Sequence, residues 1–155
     1  MNWERFSGME ATDFLYHEAP MVLLDRVISI GPDSASCSCI TSEDNPFYLS
    51  GTGIPPWTAI EFMAQCVAVS AGAKALRANK LLPLGLLLGT MSLQLEDHCF
   101  VPGQDCRVES HTIFTDDQGM GAHQCQVFVG SRMVAQARLT AKEIERGVEE
   151  IDLIK

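Results

Sequence analysis

Three polar side chains, Thr58, Glu61 and Gln65, recur at intervals of three and four residues in an otherwise apolar stretch. If this stretch is helical, the spacing places all three on one face. A carboxylate on a mostly buried helix has two interpretations. It can lie in a solvated first turn, where it complements the positive end of the helix dipole, or at the mouth of an apolar pocket, where it can act as a general acid or base. Both interpretations remain open, and the rest of the chain favours the second.

The stretch from Pro55 to Leu76 is predicted to form one long helix. Its prolines suit the first helical positions, where a missing N–H costs nothing, and good helix formers predominate after them. Only Glu61, Gln65 and Ser70 are polar within residues 60–73, so the helix must be buried on most sides. It is too polar, and its apolar run too short, for a membrane span of about 20 apolar residues. We therefore expect it to be the core of a soluble domain.

Length and charge narrow the functional classes. A chain of 155 residues is the size of one domain, and we expect a single domain over residues 1–155 with a charged tail from about residue 143. The net charge of -9 argues against nucleic acid and anionic membranes as partners. The first residues do not resemble a secretory signal, so a cytoplasmic location is expected. The six cysteines lack the paired spacing of zinc sites, and we expect neither a metal nor another cofactor.

Strand patterns flank the predicted helix on both sides. Before it, Met21–Ile30 and Ala35–Thr41 are predicted to form a hairpin across Gly31-Pro32-Asp33. Four more strands are expected after it, at Leu86–Leu95, Cys106–Phe114, Ala122–Val129 and Met133–Ala141. Because only a long curved antiparallel sheet can enclose so apolar a helix, the order predicts an α+β hot-dog fold. The exposed edges of such a sheet are commonly paired with a second subunit, and we expect a dimer.

Two segments resemble the beta-hydroxyacyl-acyl carrier protein dehydratases. They are HEAPMVLLDRV, from His17 to Val27, and IPPWTAIEFMAQ, from Ile54 to Gln65. The proline and tryptophan at the helix start and the EFMAQ run are similar to a branch found in aryl polyene and fatty-acid-like gene clusters. The resemblance implies action on 3-hydroxyacyl thioesters carried by acyl carrier protein or coenzyme A, with Glu61 at the position of the family's catalytic carboxylate.

Two of the family's catalytic elements are absent from this sequence. The loop before the helix, Phe47 to Ile54, has no histidine, and Pro56 replaces a glycine whose N–H polarises the thioester carbonyl. His17 matches a structural histidine of the family, for which a packing role is expected. His98, His111 and His123 are expected to be surface or sheet histidines. The resemblance implies a subunit that can pair with a histidine-bearing homologue. In such a pair either Glu61 completes a composite site or the chain is a scaffold.

Three functions remain open, and whether the chain is an enzyme by itself is uncertain. The first is a dehydratase-like subunit in which Glu61 is the acid, Gln65 orients Glu61 or the substrate, and Trp57 lines the entrance of the acyl tunnel. Trp57 is equally compatible with a core or dimer-interface position. The second is a hot-dog thioesterase that uses the helix carboxylate to activate water. The third is a non-catalytic partner or acyl-binding subunit. The expected assembly is a homodimer, a higher oligomer or a heteromer.

Overall fold

An antiparallel sheet of six strands packs against one long helix in the computed structural model, which describes residues 2–144. The strand order is β1-β2-β4-β5-β6-β3, and every neighbouring pair is antiparallel. The elements are β1 Val27–Ile30, β2 Ser34–Ile40, α1 Ala59–Arg77, β3 Leu84–Leu95, β4 Asp105–Thr115, β5 Met120–Val129 and β6 Arg132–Ile144. The predicted hot-dog fold is confirmed.

Helix α1 is the centre of the core. A 3-10 turn at Pro56–Thr58 leads into it, as the prolines at the helix start predict. The helix is long and apolar enough to cross a membrane by length and composition, but 61% of its 18-residue apolar window is buried inside the protein. Phe62, Met63 and Val69 are fully buried, and each such side chain stabilises the fold by about 2 kcal/mol. The helix is therefore the core element that the sequence predicts.

The first strand is shorter than predicted, for a reason that bears on the site. The pattern indicates a strand from Met21, but β1 begins only at Val27. The backbone groups of Met21 and Leu23 hydrogen-bond to the side chain of Gln65 on α1 instead of a neighbouring strand. This segment is therefore attached to the helix, and the residues that precede it in the chain lie near Glu61.

At the two termini the structure departs less from the prediction than it does at the first strand. Near the N-terminus, Ala11–Phe14 form a 3-10 helix whose N-cap is Glu10. The charged tail was expected from about residue 143, but β6 continues to Ile144. The remainder of the predicted tail, residues 145–155, lies outside the described residues.

Gly72 allows the N-terminal 3-10 helix to lie directly on α1. A Cβ atom at this position would overlap the backbone carbonyl of Phe14. Because the obstacle is backbone rather than a flexible side chain, only glycine permits this approach. The contact holds the buried Phe14 ring at the wall of the cavity described below.

The cysteines are free thiols, and all but Cys99 are buried. Burial raises the pKa values of Cys39, Cys106 and Cys125, to about 11 for Cys106, where the carboxylates of Asp105 and Asp25 add to the effect. Thiols of this kind behave as small apolar side chains, as the sequence predicts. Within residues 2–144 no cluster of three or more histidine, cysteine or acidic side chains could hold a metal ion.

Candidate functional site

An apolar cavity of about 320 Å³ lies between α1 and strands β3 to β6. Its walls are formed mainly by apolar side chains, among them Phe14, Ala64, Val67, Ala68, Leu86 and Leu139. Glu61 and Lys74 both line it. Since they are 13 residues apart on one helix, they are separated by about 20 Å along its axis. The cavity is thus an elongated apolar channel with ionisable groups toward both ends.

Glu61 lies in the first turn of α1, at one end of this cavity. Its side chain is 32% exposed, so it is neither fully buried nor fully solvated. Its Oε1 accepts a hydrogen bond of 2.9 Å from Nε2 of Gln65, one turn further along the helix. Within the described chain Oε2 accepts no hydrogen bond. One carboxylate oxygen is therefore held in place while the other is free to act on a bound molecule.

The side chain of Gln65 holds Glu61 and the segment before β1 in place. It is fully buried, its Nε2 donates to Met21 O at 2.7 Å, and its Oε1 accepts from Leu23 N at 2.9 Å. The same side chain therefore attaches the segment before β1 and positions the Glu61 carboxylate. A buried amide with all of these hydrogen bonds made is rigid, because each alternative orientation would leave a polar group unpaired.

We expect Gln65→Leu to destabilise the fold by about 2 kcal/mol, because the buried N–H of Leu23 loses its acceptor. The change should also release the Glu61 carboxylate and lower any activity that depends on it. Urea unfolding followed by circular dichroism measures the first effect. Gln136→Leu is the matched control, since the Gln136 side chain donates to the exposed Gln94 side chain, and should change stability by less than about 0.5 kcal/mol. Equal stability losses in the two variants would contradict the attachment of Leu23 to α1 through Gln65.

His17 also approaches Glu61, which the sequence did not indicate. Its Nε2 lies 3.7 Å from Glu61 Oε1, and its side chain is 37% exposed at the cavity. The sequence predicted a packing role for His17, but an exposed ring beside a carboxylate is not a packing position. His17 lies beside Glu61 because Met21 and Leu23, a few residues later in the chain, are hydrogen-bonded to Gln65. The strand-like sequence pattern of this segment does not predict these hydrogen bonds.

Trp57 and Thr58 do not line the cavity of the single chain. Trp57 is 51% exposed and its ring packs edge-on against Phe47, with centroids 5.4 Å apart. Its predicted place at a tunnel entrance therefore depends on a surface outside this chain and stays a prediction. Thr58, on the predicted polar face, is fully buried and its hydroxyl has no hydrogen-bond partner.

The other histidines occupy different surroundings. His98 and His111 are exposed. His123, expected to be a surface or sheet histidine, is on β5, which lies inside the sheet, and the residue is 9% exposed. Burial, with a smaller contribution from the Lys74 ammonium, lowers the pKa of His123 to about 4. His123 is therefore neutral at pH 7, and it lines the same cavity as Glu61.

Three more polar side chains line the cavity near His123: Ser70, Thr112 and Lys74. Thr112 Oγ1 is 3.1 Å from His123 Nδ1. Ser70 and Lys74 are four residues apart on α1 and so share a face. The sequence identified Ser70 as polar, but sequence separation concealed the proximity of Ser70 and Lys74 to β4 and β5.

Comparisons with known proteins agree with this fold. The family model described as ApeP dehydratase matches residues 9–151. The structure of the dehydratase heterocomplex ApeI:P from Xenorhabdus doucetiae contains a chain 27% identical to this one. The match covers 95% of this chain and 98% of that one, with a TM-score of 0.83.

More distant structures share the fold alone. An uncharacterized protein from Pyrococcus horikoshii is 12% identical, with 92% of this chain and 98% of that one covered and a TM-score of 0.64. The PaaI protein of E. coli is 11% identical, with coverages of 76% and 78% and a TM-score of 0.59. No match was found among curated proteins.

Proposed function

The chain belongs to the ApeP-like dehydratase family, and we propose that it removes water from 3-hydroxyacyl thioesters as one subunit of a composite site. The proposed substrate is bound to acyl carrier protein or coenzyme A, and the resemblance to the aryl polyene branch points to polyene or fatty-acid-like biosynthesis. The observation that carries the proposal is Glu61 at the end of an apolar channel, with one carboxylate oxygen anchored by Gln65 and the other free.

The cavity suits an acyl chain. Apolar walls take up a hydrocarbon tail without leaving polar groups unpaired, and a carboxyl at one end can meet the polar head of the same molecule. Elimination needs two groups at that head. A base removes the proton alpha to the thioester carbonyl, the bond from the beta carbon to the hydroxyl oxygen breaks, and an acid protonates the departing hydroxyl to give water.

We assign the acid to Glu61. In its protonated form it donates through the free oxygen to the leaving hydroxyl and becomes the carboxylate, which then recovers a proton from solvent. Gln65 holds the other oxygen throughout, and His17, 3.7 Å away, stabilises the carboxylate when its imidazole is protonated. These contacts hold the carboxyl group in one orientation, and correct orientation of a catalytic group lowers the barrier to reaction.

The base is assigned to a partner subunit. The loop before α1 has no histidine, and His17 stands beside Glu61 itself rather than across a substrate from it. Pro56 has no N–H to polarise the carbonyl. We therefore propose that a histidine-bearing homologue supplies both the base and the carbonyl donor.

Strand β3 is the proposed contact with that partner. It forms one edge of the sheet, and among the described strands it pairs only with β6. Its exposed apolar side chains are Leu86, Leu87, Leu88, Met91 and Leu93. An unpaired edge with this composition is a surface that proteins ordinarily cover. Since residues of β3 also form a wall of the cavity, a subunit bound there would lie beside the site.

The test compares purified chain with and without a histidine-bearing hot-dog homologue. We expect dehydration of a 3-hydroxyacyl thioester to rise by at least about 100-fold when the homologue is added, because general base catalysis contributes that much. If the absorbance of the enoyl product did not increase in the mixture, the composite site would be contradicted. Release of free thiol by the chain alone would identify a thioesterase instead, and a mixture no faster than the homologue alone would identify a non-catalytic subunit.

The single-domain organisation and the cytoplasmic location expected from the sequence remain predictions. So does the role of Trp57, whose exposed ring would line the tunnel only if the partner completes the entrance.

A further inference from the structure

Ser70 is a buried hydroxyl without a hydrogen bond, on the wall of the cavity. The residue is 5% exposed, and its Oγ has no hydrogen-bond partner among residues 2–144. A serine inside a helix usually bonds to the carbonyl one turn earlier, and this one does not. Leaving such a group unpaired costs about 1 to 3 kcal/mol. Alanine would avoid that cost and is a better helix former, so the hydroxyl requires an explanation.

Other polar groups converge on the same part of the cavity. Lys74 follows Ser70 by one helical turn, and His123 faces them from β5 with Thr112 bonded to its Nδ1. Lys74 and His123 line the same cavity, and the Lys74 charge contributes to the lowered pKa of His123. His123 is uncharged at neutral pH and so offers a ring nitrogen for hydrogen bonding without the cost of burying a charge.

This polar cluster is remote from Glu61. Ser70 is nine residues further along α1, which corresponds to about 14 Å of helix, and the wall between them is formed by Ala64, Val67 and Ala68. A wholly aliphatic tail reaching the cluster would leave Ser70 unpaired and would remove water from Lys74 without compensation. The cluster therefore disfavours a methyl end and favours one that can form hydrogen bonds.

We propose that Ser70, Lys74 and His123 bind an oxygen atom at the far end of the acyl chain and so select substrates with a polar terminus. Ser70 donates its hydroxyl proton to this oxygen, and the Lys74 ammonium stabilises it from one turn further along. The inference rests on the proposed function, because it takes the occupant of the channel to be an acyl thioester whose head lies at Glu61.

The experiment measures binding, not turnover. N-acetylcysteamine thioesters from octanoyl to tetradecanoyl are prepared as plain chains and with a hydroxyl on the last carbon, and each is titrated into the full chain by calorimetry. We expect the hydroxylated form to bind about tenfold more tightly at the length that reaches Ser70, which corresponds to one hydrogen bond of about 1.4 kcal/mol. At shorter lengths it should bind more weakly than the plain form, since its hydroxyl lies among apolar walls.

Ser70→Ala should abolish the tenfold preference and leave the affinity for plain chains unchanged or higher. Ser36→Ala is the matched control, because its hydroxyl is likewise buried without a partner but lies outside the cavity, and it should retain the preference. Thermal melting establishes that both variants fold. Equal affinities of plain and hydroxylated chains at every length, or a preference that survives Ser70→Ala, would overturn the inference while leaving acyl binding intact. Absence of binding by either series would overturn the acyl-thioester function as well.

Discussion

Replacing Glu61 by glutamine should reduce dehydration by about 1,000-fold, within the range that a general acid contributes. Glutamine has nearly the same shape and retains an oxygen that can accept from Gln65 Nε2, so the contact of 2.9 Å can persist. It cannot deliver a proton to the leaving hydroxyl. The loss should therefore appear in kcat of the complex with the histidine-bearing homologue, with KM changed little.

Glu10→Gln is the matched control for this variant. Glu10 forms an exposed ion pair with Arg26, neither residue lines the cavity, and the activity of this variant should equal that of the unmodified chain. Circular dichroism and thermal melting should give the same fold for both variants. Full dehydratase activity in a correctly folded Glu61→Gln protein would show that the acid is another group.

Gly72→Ala should destabilise the fold by about 3 kcal/mol, contrary to what helix propensity implies. In an exposed helix interior the change would stabilise by about 1 kcal/mol. Here the new methyl group meets the carbonyl of Phe14, and the 3-10 helix at Ala11–Phe14 has to move away from α1. Overpacking of this kind costs about 1 to 3 kcal/mol, and the separation of the buried Phe14 ring from the core adds to that. For a chain of this size the midpoint of thermal unfolding should fall by about 10 °C.

Gly89→Ala provides the comparison. Gly89 is in β3, and a Cβ there would meet nothing within 4 Å. The midpoint of thermal unfolding of Gly89→Ala should remain within about 2 °C of that of the unmodified protein. If Gly72→Ala melted as high as Gly89→Ala, the close packing of the N-terminal helix on α1 would not exist in solution.

The sequence predicts the architecture well because the architecture depends on patterns local to each element. The apolar run from Pro55 to Leu76 identifies α1, and the alternating segments after it identify the strands to within a few residues. The prediction fails at Met21, where the branched apolar side chains indicate a strand. There a single buried amide, Gln65, takes the hydrogen bonds that a neighbouring strand would have supplied.

The candidate site is less accessible to sequence reasoning, because it depends on contacts between distant residues. Glu61 is identifiable by its position on an apolar helix and by family resemblance. The approach of His17 depends on the path of the chain between His17 and Leu23, and the cluster around Ser70 joins α1 to β4 and β5. Neither proximity has a periodic signature, and both follow from the way the sheet encloses the helix.

The apolar outer strand β3 has a consequence for how the chain is made in a cell. Backbone groups and leucine side chains along an open sheet edge can be extended by any compatible segment, including one from a misfolded neighbour. Under the proposed function a partner subunit covers this edge. Production of the two chains together in matching amounts should therefore give more soluble protein than production of this chain alone.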